Sequence, residues 1–383
     1  LKLPIYLDYN ATTPVAPEVA KAMLTWLTEQ FGNPSSSHAY GLKARQAVAE
    51  ARESVATLIG ARAEEIVFTG SATEANNLAL LGAARAAPLG RRHLIVSAIE
   101  HPAVMQPTLH LQESGWELTV VPVDGYGRVA PDAVAAALRP DTWLVSVMHA
   151  NNEVGTIQAI AEIAALVRAN GSLMHTDAAQ SAGKVRLDVT ELDVDLLTLA
   201  GHKFYAPKGI GALYVRRGTA IKPILFGAEQ EHGLRPGTEN VPHIVGLGVA
   251  AQLAGARLPL AAPTMTALRD TLHARLTAAA PGLLLNGHPE HRLPNTLHIS
   301  FPGVSGRELL AAVADDLAAS VGSACHSDAE TVSGVLAAMG CDAARARGAV
   351  RLSVGWSTNL AEIERAVTAL SDALVRLNRG KSS

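Results

Sequence analysis

The residues in this sequence able to do chemistry are a lysine, an aspartate, a hydroxyl-rich turn, a histidine, an arginine and a cysteine. Lys203 stands in Gly201-His202-Lys203-Phe204-Tyr205, directly after the apolar run 194–199. Such a run reads as a sheet strand, and open α/β sheets gather ligands at the carboxyl ends of their strands. A lysine drawn out of water there becomes a nucleophilic amine; on a wet loop it stays an ordinary ammonium. Asp177, in His175-Thr176-Asp177-Ala178-Ala179-Gln180, closes the preceding strand and opens onto the same edge. Either it caps the helix that follows, or it pairs with a protonated ring nitrogen. At about 4 Å and an effective dielectric of about 20, that pair is worth about 4 kcal/mol, enough to keep a weakly basic pyridine charged.

Thr69-Gly70-Ser71-Ala72-Thr73-Glu74 reads as strand end, glycine turn and helix start. It is either a plain N-cap or an anion site built from backbone N–H groups with the Ser71 and Thr73 hydroxyls. No Walker A or dinucleotide fingerprint accompanies it, so a phosphate bound there need not belong to a nucleotide. Glu100-His101 brings an imidazole to the same edge, where it could stack on a planar ring. Arg351, on the apolar strand Val350-Arg351-Leu352-Ser353-Val354, needs an anion: a substrate carboxylate or a structural partner. Cys325 lies in the small-residue stretch Ser320-Val321-Gly322-Ser323-Ala324-Cys325-His326-Ser327-Asp328, either as an accessible reactive thiol or as a small buried filler. Cys341 reads as an inert thiol at a helix end. Together these groups fit pyridoxal 5′-phosphate acting on an amino acid, with the thiol as an unusual addition.

The elements that must position them are legible. Short β-rich runs at 65–69, 94–97, 118–121, 143–148, 172–175, 196–199 and 212–215 alternate with Ala-rich helical stretches. Most are too apolar to leave a face in water, as expected for strands covered on both sides. The expected fold class is α/β, a large domain with a mostly parallel seven-stranded sheet and a smaller α+β C-terminal domain. Residues 15–255 form the large domain in this reading, and 1–14 with 256–383 the small one. Helical patterning runs from 242 to about 280, with the Pro/Ala run at 258–263 read as at most a short turn.

Composition narrows the function. Of 383 residues 48% are hydrophobic, which rules out wholesale disorder. A net charge of −3 argues against a nucleic-acid binder working by bulk charge. Uncharged apolar runs fall short of the roughly 18–20 residues of a membrane span, and the first residues lack a secretory pattern. Two cysteines exclude a disulfide scaffold or a cysteine zinc site, and no metal is expected. The cytoplasm is the expected compartment.

The ordered motifs resemble those of the cysteine desulfurases and selenocysteine lyases, the class V branch of fold-type-I pyridoxal-phosphate transferases. The resemblance runs nearly end to end: Tyr6-Leu7-Asp8-Tyr9-Asn10-Ala11-Thr12-Thr13-Pro14, Phe31-Gly32-Asn33-Pro34-Ser35-Ser36, Glu100-His101-Pro102, Ala150-Asn151-Asn152-Glu153, His175 to Gln180, Gly201-His202-Lys203, Arg235-Pro236-Gly237-Thr238-Glu239-Asn240, Ser323-Ala324-Cys325 and Arg351 to Gly355. It implies that Lys203 carries the cofactor as a Schiff base, Asp177 pairs with the pyridine nitrogen, Gln180 meets the ring hydroxyl and His101 stacks on the ring. It implies a phosphate site of Ser71, Ala72, Thr73 and His202, completed by Thr238 from the other subunit of an obligate homodimer. Asn152 and Arg351 would hold the substrate carboxylate, with Asn10 nearby, and Cys325 would take the sulfur and pass it to an acceptor.

Two positions depart from the pattern. Ala200 replaces a serine phosphate ligand, and Ser71-Ala72 replaces a glycine pair. Pro102 and Arg216-Arg217-Gly218-Thr219 look like nitrogen-fixation-type desulfurases. Cys325-His326-Ser327-Asp328, Phe204-Tyr205 and Ala200 look like selenocysteine lyases. The implied activity is therefore conversion of L-cysteine to L-alanine with a persulfide on Cys325, with L-selenocysteine as the alternative substrate. The rivals are an aminotransferase or β-lyase that ignores the thiol, and a non-catalytic sulfur carrier. The chain's end lacks the longer tail by which housekeeping desulfurases grip an iron–sulfur scaffold, so docking to that scaffold is not expected.

Overall fold

The computed structural model describes residues 3–322 and 333–379. Cys325 and its neighbours 323–332 lie outside the described residues. The strands are β1 (Ile5–Tyr6), β2 (Ile66–Thr69), β3 (His93–Ser97), β4 (Glu117–Val121), β5 (Thr142–Ser146), β6 (Leu173–Asp177), β7 (Leu196–Ala200), β8 (Gly211–Val215), β9 (Leu284–Asn286), β10 (Thr296–Ser300), β11 (Leu317–Ala318) and β12 (Ala349–Ser353). The helices are α1 (Pro17–Thr28), α2 (Ala39–Leu58), α3 (Ala72–Arg85), α4 (Pro102–Glu113), α5 (Pro131–Ala137), α6 (Ile160–Ala169), α7 (Val189–Leu192), α8 (Val241–Ala279), α9 (Gly306–Ala311), α10 (Gly334–Ala338), α11 (Ala343–Arg347) and α12 (Leu360–Arg379).

Seven strands form the main sheet in the order β2-β8-β7-β6-β5-β3-β4. Only β8 runs against its neighbours; β2 and β7 are both antiparallel to it and so run the same way as the rest. Every residue of β2, β3, β5 and β7 is buried, which is why their sequences show no polar alternation. The edge strand β4 does show it, with Glu117 exposed and Val121 buried. Strand order reverses between β3 and β5, and there the loops leaving adjacent strands diverge and open a crevice. The chain leaving β3 leads to His101, and the chain leaving β5 leads to Asn152. The ends of β2, β6 and β7 deliver Ser71, Asp177 and Lys203 to the same edge.

A second apolar cluster includes β10 and β12 of a three-stranded antiparallel sheet, α12, and Ile5 and Leu7 from the chain's start. Helix α8 joins the two bodies. Its first half buries Ile244, Leu247, Ala251 and Ala254 in the main cluster, and its second half buries Met265, Leu272 and Leu276 in the other. The run 258–263, expected as a turn, is helical. Pro259 and Pro263 sit inside α8 without ending it, beside the 79% exposed Leu260, where water can satisfy the carbonyls they strand. Residue 255, the expected domain boundary, also falls inside this helix. By length and composition α8 could cross a membrane, with a mean hydropathy of 1.5 over 18 residues; Ile244, Leu247, Ala251, Ala254, Met265, Leu272 and Leu276 are instead buried in the protein's own cores.

Gly211 shows how closely the site edge is packed. A Cβ there would lie 2.7 Å from the Ser71 carbonyl carbon, 2.8 Å from the Ala72 nitrogen and 2.8 Å from the Leu199 oxygen, all backbone. Gly211→Ala is therefore expected to cost about 1–3 kcal/mol in urea unfolding, while Gly334→Ala, whose Cβ meets nothing within 4 Å, shifts stability by less than about 1 kcal/mol. Equal effects would contradict this packing.

Candidate active site

Lys203 ends a short 3-10 turn, Gly201–Lys203, that follows β7. Its Nζ donates to the carbonyl oxygens of Asn10 at 2.6 Å and Ala11 at 2.9 Å. The same Asn10 oxygen accepts from Gln180 Nε2 at 3.1 Å. Asn10 is only 1% exposed, and its side chain is spent within the protein. Nδ2 donates to Thr296 Oγ1 at 2.9 Å and the Asn152 carbonyl at 3.2 Å, and Oδ1 accepts from Asn295 Nδ2 at 3.0 Å.

Asp177 is buried at the end of β6. One oxygen accepts from Asn76 Nδ2 at 2.7 Å and the other from the Ala179 N–H at 2.9 Å. Among the described residues no cation pairs with it. A buried carboxylate held by two neutral donors is costly unless a cation joins it. His101 caps α4, its Nδ1 accepting from the Ala103 N–H at 3.1 Å. Burial lowers its pKa, with the Asp177 charge opposing and the Lys203 charge assisting, so the three groups lie near enough to feel one another's charge.

At the start of α3, Ser71 Oγ accepts from the Glu74 N–H and the Ser71 carbonyl takes the Ala75 N–H. The N–H groups of Ala72 and Thr73, in the first turn, have no acceptor within the helix. Thr73 is exposed. His202 sits beside Thr12, Nδ1 to Oγ1 3.2 Å. Burial and the charges of Lys203, Lys208 and Lys184 push its pKa down to about 4, leaving a neutral ring at pH 7.

Arg351 is buried on β12. It donates to the Asn152 carbonyl at 2.9 Å and to Asp8 Oδ1 at 2.9 Å, and its Nε has no partner among the described residues. Asn152 thus meets Arg351 and Asn10 through its carbonyl. Thr238 is exposed and makes no hydrogen bond to these groups among the described residues. Its loop is nonetheless tied to the α3 turn: Arg235 donates to Glu74 at 2.8 Å, and Glu74 accepts from the Gly70 N–H at 2.9 Å. Cys341 is half-buried, and burial pushes its thiol pKa up, which suppresses the thiolate.

Sequence reasoning passed over several residues. Asp8, which occupies one edge of Arg351, lies within a quoted motif. Asn76, one turn into α3, carried no local signal. Lys184, which follows a glycine, carried no local signal, yet it is 5% exposed.

The fold and this edge are those of fold-type-I pyridoxal-phosphate enzymes. The chain belongs to the class-V aminotransferase family, whose model matches residues 5–366. It is 42% identical over 378 residues to Cysteine desulfurase IscS of Dictyoglomus turgidum, covering 98% of this chain and 96% of that one. The solved structure titled "NIFS-LIKE PROTEIN" superposes with a TM-score of 0.92 at 36% identity, covering 97% of this chain and all of the other. "SspA in complex with cysteine" superposes with a TM-score of 0.81 at 37% identity, covering 91% and 98%. The family's cofactor is pyridoxal 5′-phosphate. The residues present fit it: Asp177 lacks the cation that a protonated pyridine supplies, and the first turn of α3 offers open N–H groups to a phosphate.

Glu100, next to His101, is buried. Ser97 Oγ and the Met148 N–H donate to one of its oxygens, at 2.5 and 2.8 Å. Burial raises its pKa from 4.5 to about 8. The unfolded chain ionises Glu100 above about pH 4.5 and the folded protein only above about 8. Its contribution to stability is full below the first value and lost as pH rises through the second. Between pH 5 and 8 the wild type should lose stability relative to Glu100→Gln, by up to about 1.4 kcal/mol per pH unit. Urea unfolding of both proteins at the two pH values measures this; parallel pH dependence would contradict a protonated Glu100.

Proposed function

We propose that the chain is a pyridoxal-phosphate-dependent cysteine desulfurase that converts L-cysteine to L-alanine and leaves the sulfur as a persulfide on Cys325. The observation that carries the reading is the buried Asp177, held by two neutral donors and by no cation among the described residues, with the charges of Asp177 and Lys203 both acting on His101. The names of the relatives and the family's cofactor support it.

Bound pyridoxal phosphate supplies an aldehyde for an amine and a ring that draws electrons from the substrate's Cα. The chain does the rest. Asp177 holds the ring nitrogen charged. The neutral His101 lies against the ring, and Gln180 faces its hydroxyl. Ser71, the N–H groups of Ala72 and Thr73, and His202 receive the phosphate. Ala200 removes one donor there, and the helix terminus makes up for it. Arg351, sharing its guanidinium with Asp8, and Asn152 hold the substrate carboxylate, with Asn10 fixing the floor beneath. Lys203 would hold the cofactor through its amine and, with that amine free, would move the Cα proton. The Cys325 thiolate then attacks the substrate sulfur: the S–S bond forms as the C–S bond breaks, and the electron pair leaves with the three-carbon fragment. Cysteine and a thiol give alanine and a persulfide, so no oxidant is required.

Thr238 serves a second copy of the chain in this reading, making the enzyme a homodimer with shared sites. The exposed Leu24, Leu27, Phe31, Leu225 and Phe226 are suited to such an interface. A sulfur-acceptor protein receives the persulfide. The enzyme acts in the cytoplasm, as two domains hinged on α8.

A second reading, a selenocysteine lyase, is favoured by Cys325-His326-Ser327-Asp328 and by Ala200. Alanine production from L-cysteine and L-selenocysteine separates the two. The expected result is good turnover of cysteine by the wild type, a loss of at least about 100-fold in Cys325→Ser with the cofactor still bound, and no turnover in Lys203→Ala. Full cysteine turnover by Cys325→Ser would identify a lyase that ignores the thiol; negligible wild-type turnover of cysteine beside rapid turnover of selenocysteine would identify the lyase.

A further inference from the structure

Lys184 is a buried lysine for which the proposed reaction has no use. It is 5% exposed, and its Nζ donates to Gln180 Oε1 at 3.0 Å. Among the described residues no carboxylate pairs with it. Gly183, directly before it, has φ +72° and no room for a Cβ, which would lie 2.9 Å from Phe204 Cβ. The backbone that launches the side chain is thereby fixed. Lys184 and Lys203 both line a cavity of about 10 Å³, with Tyr9, Tyr205, Asn295 and Trp356 among its walls. That is space for about one water.

The hydrogen bonds form a line. Lys184 Nζ holds Gln180 Oε1; Gln180 Nε2 donates to the Asn10 carbonyl; Lys203 Nζ donates to that same oxygen at 2.6 Å. An amine beside Oε1 breaks the near-symmetry of a carboxamide, which can otherwise present oxygen or nitrogen to either side. We propose that Lys184 is a positioning residue for the reaction: it holds the Gln180 carboxamide with its oxygen outward and its N–H groups toward Lys203 and the cofactor ring. The inference rests on the functional reading above, in which Gln180 faces the ring hydroxyl.

The electrostatics agree with the geometry. Burial, then the charges of Lys203 and Arg351, push the Lys184 pKa well below the ordinary lysine range. A neutral amine still donates to Oε1, and because its lone pair can then also accept, the carboxamide's orientation is kept jointly with the Asn10 carbonyl, which can only accept, from Gln180 Nε2. Tyr9 and Tyr205 are the other titratable groups lining the cavity, and burial raises the Tyr205 pKa. His202 feels the Lys184 charge from the other side.

The test is a double-mutant cycle read on the visible absorbance of protein loaded with pyridoxal phosphate, titrated with pH in the absence of substrate. Losing the Gln180 donor makes the ring hydroxyl more basic, so Gln180→Leu should raise the absorbance midpoint by about one pH unit. Lys184→Met should raise it by at least half as much, and the double variant no further than Gln180→Leu alone. An unshifted Lys184→Met midpoint, or shifts that add in the double variant, would overturn the inference. If Lys184→Met does not fold, Lys184→Gln enters the same cycle under the same criterion: its shift must vanish in the Gln180→Leu background. A wild-type protein that takes up no pyridoxal phosphate would overturn the functional reading itself, whereas a loaded protein with additive shifts would overturn only the role of Lys184.

Discussion

One carbonyl oxygen, that of Asn10, ties the site together. Lys203 and Gln180 both donate to it, from separate strand ends of the main sheet. The side chain of the same residue is bound by Asn295 and Thr296, at the start of β10 in the second sheet, and its N–H donates to Ser353 Oγ on β12 at 2.9 Å. A buried asparagine must satisfy both ends of its carboxamide, and here each end is met by the second sheet. The chain's first strand, β1, pairs with β11 in that same half of the molecule. The N-terminal segment therefore works as a strap that seats elements more than 100 residues apart around one amine.

The charge arrangement depends on that seating. Cations crowd one side of the pocket: Lys203, Arg351 and the titratable Lys184 and His202. Burial strips the last two of much of their tendency to be charged, which limits the repulsion. Asp177 is held by two neutral donors and by no cation among the described residues, and burial holds the neighbouring Glu100 neutral. In the proposed function this gives one negative site for a ring nitrogen, positive and N–H-rich sites for the phosphate and the substrate carboxylate, and an amine for the cofactor.

Much of this was legible in the sequence because parallel strands buried on both faces write themselves as apolar runs, and the chemistry sits where those runs end. Asp177, Lys203 and His101 were found that way, and so was the hydroxyl turn at Ser71. What was not legible depended on distance in space. Asn76 meets Asp177 from 101 positions away, and Asp8 reaches Arg351 across 343. Lys184 went unnoticed because burial of a lysine leaves no local pattern when the partner is a neutral glutamine. The prolines of α8 misled for another reason: local stiffness predicted a turn, but helix packing on both sides carried the chain straight through. Thr238 entered only through the resemblance, and within one chain it is exposed.

The central claim is that Lys203, held on the Asn10 and Ala11 carbonyls, is the amine that carries the cofactor. Borohydride reduction of the protein loaded with pyridoxal phosphate, followed by peptide mapping, tests it most directly. The account predicts a single pyridoxyl modification, on Lys203. A label on Lys184, or one spread over surface lysines with Lys203 unmodified, would contradict it.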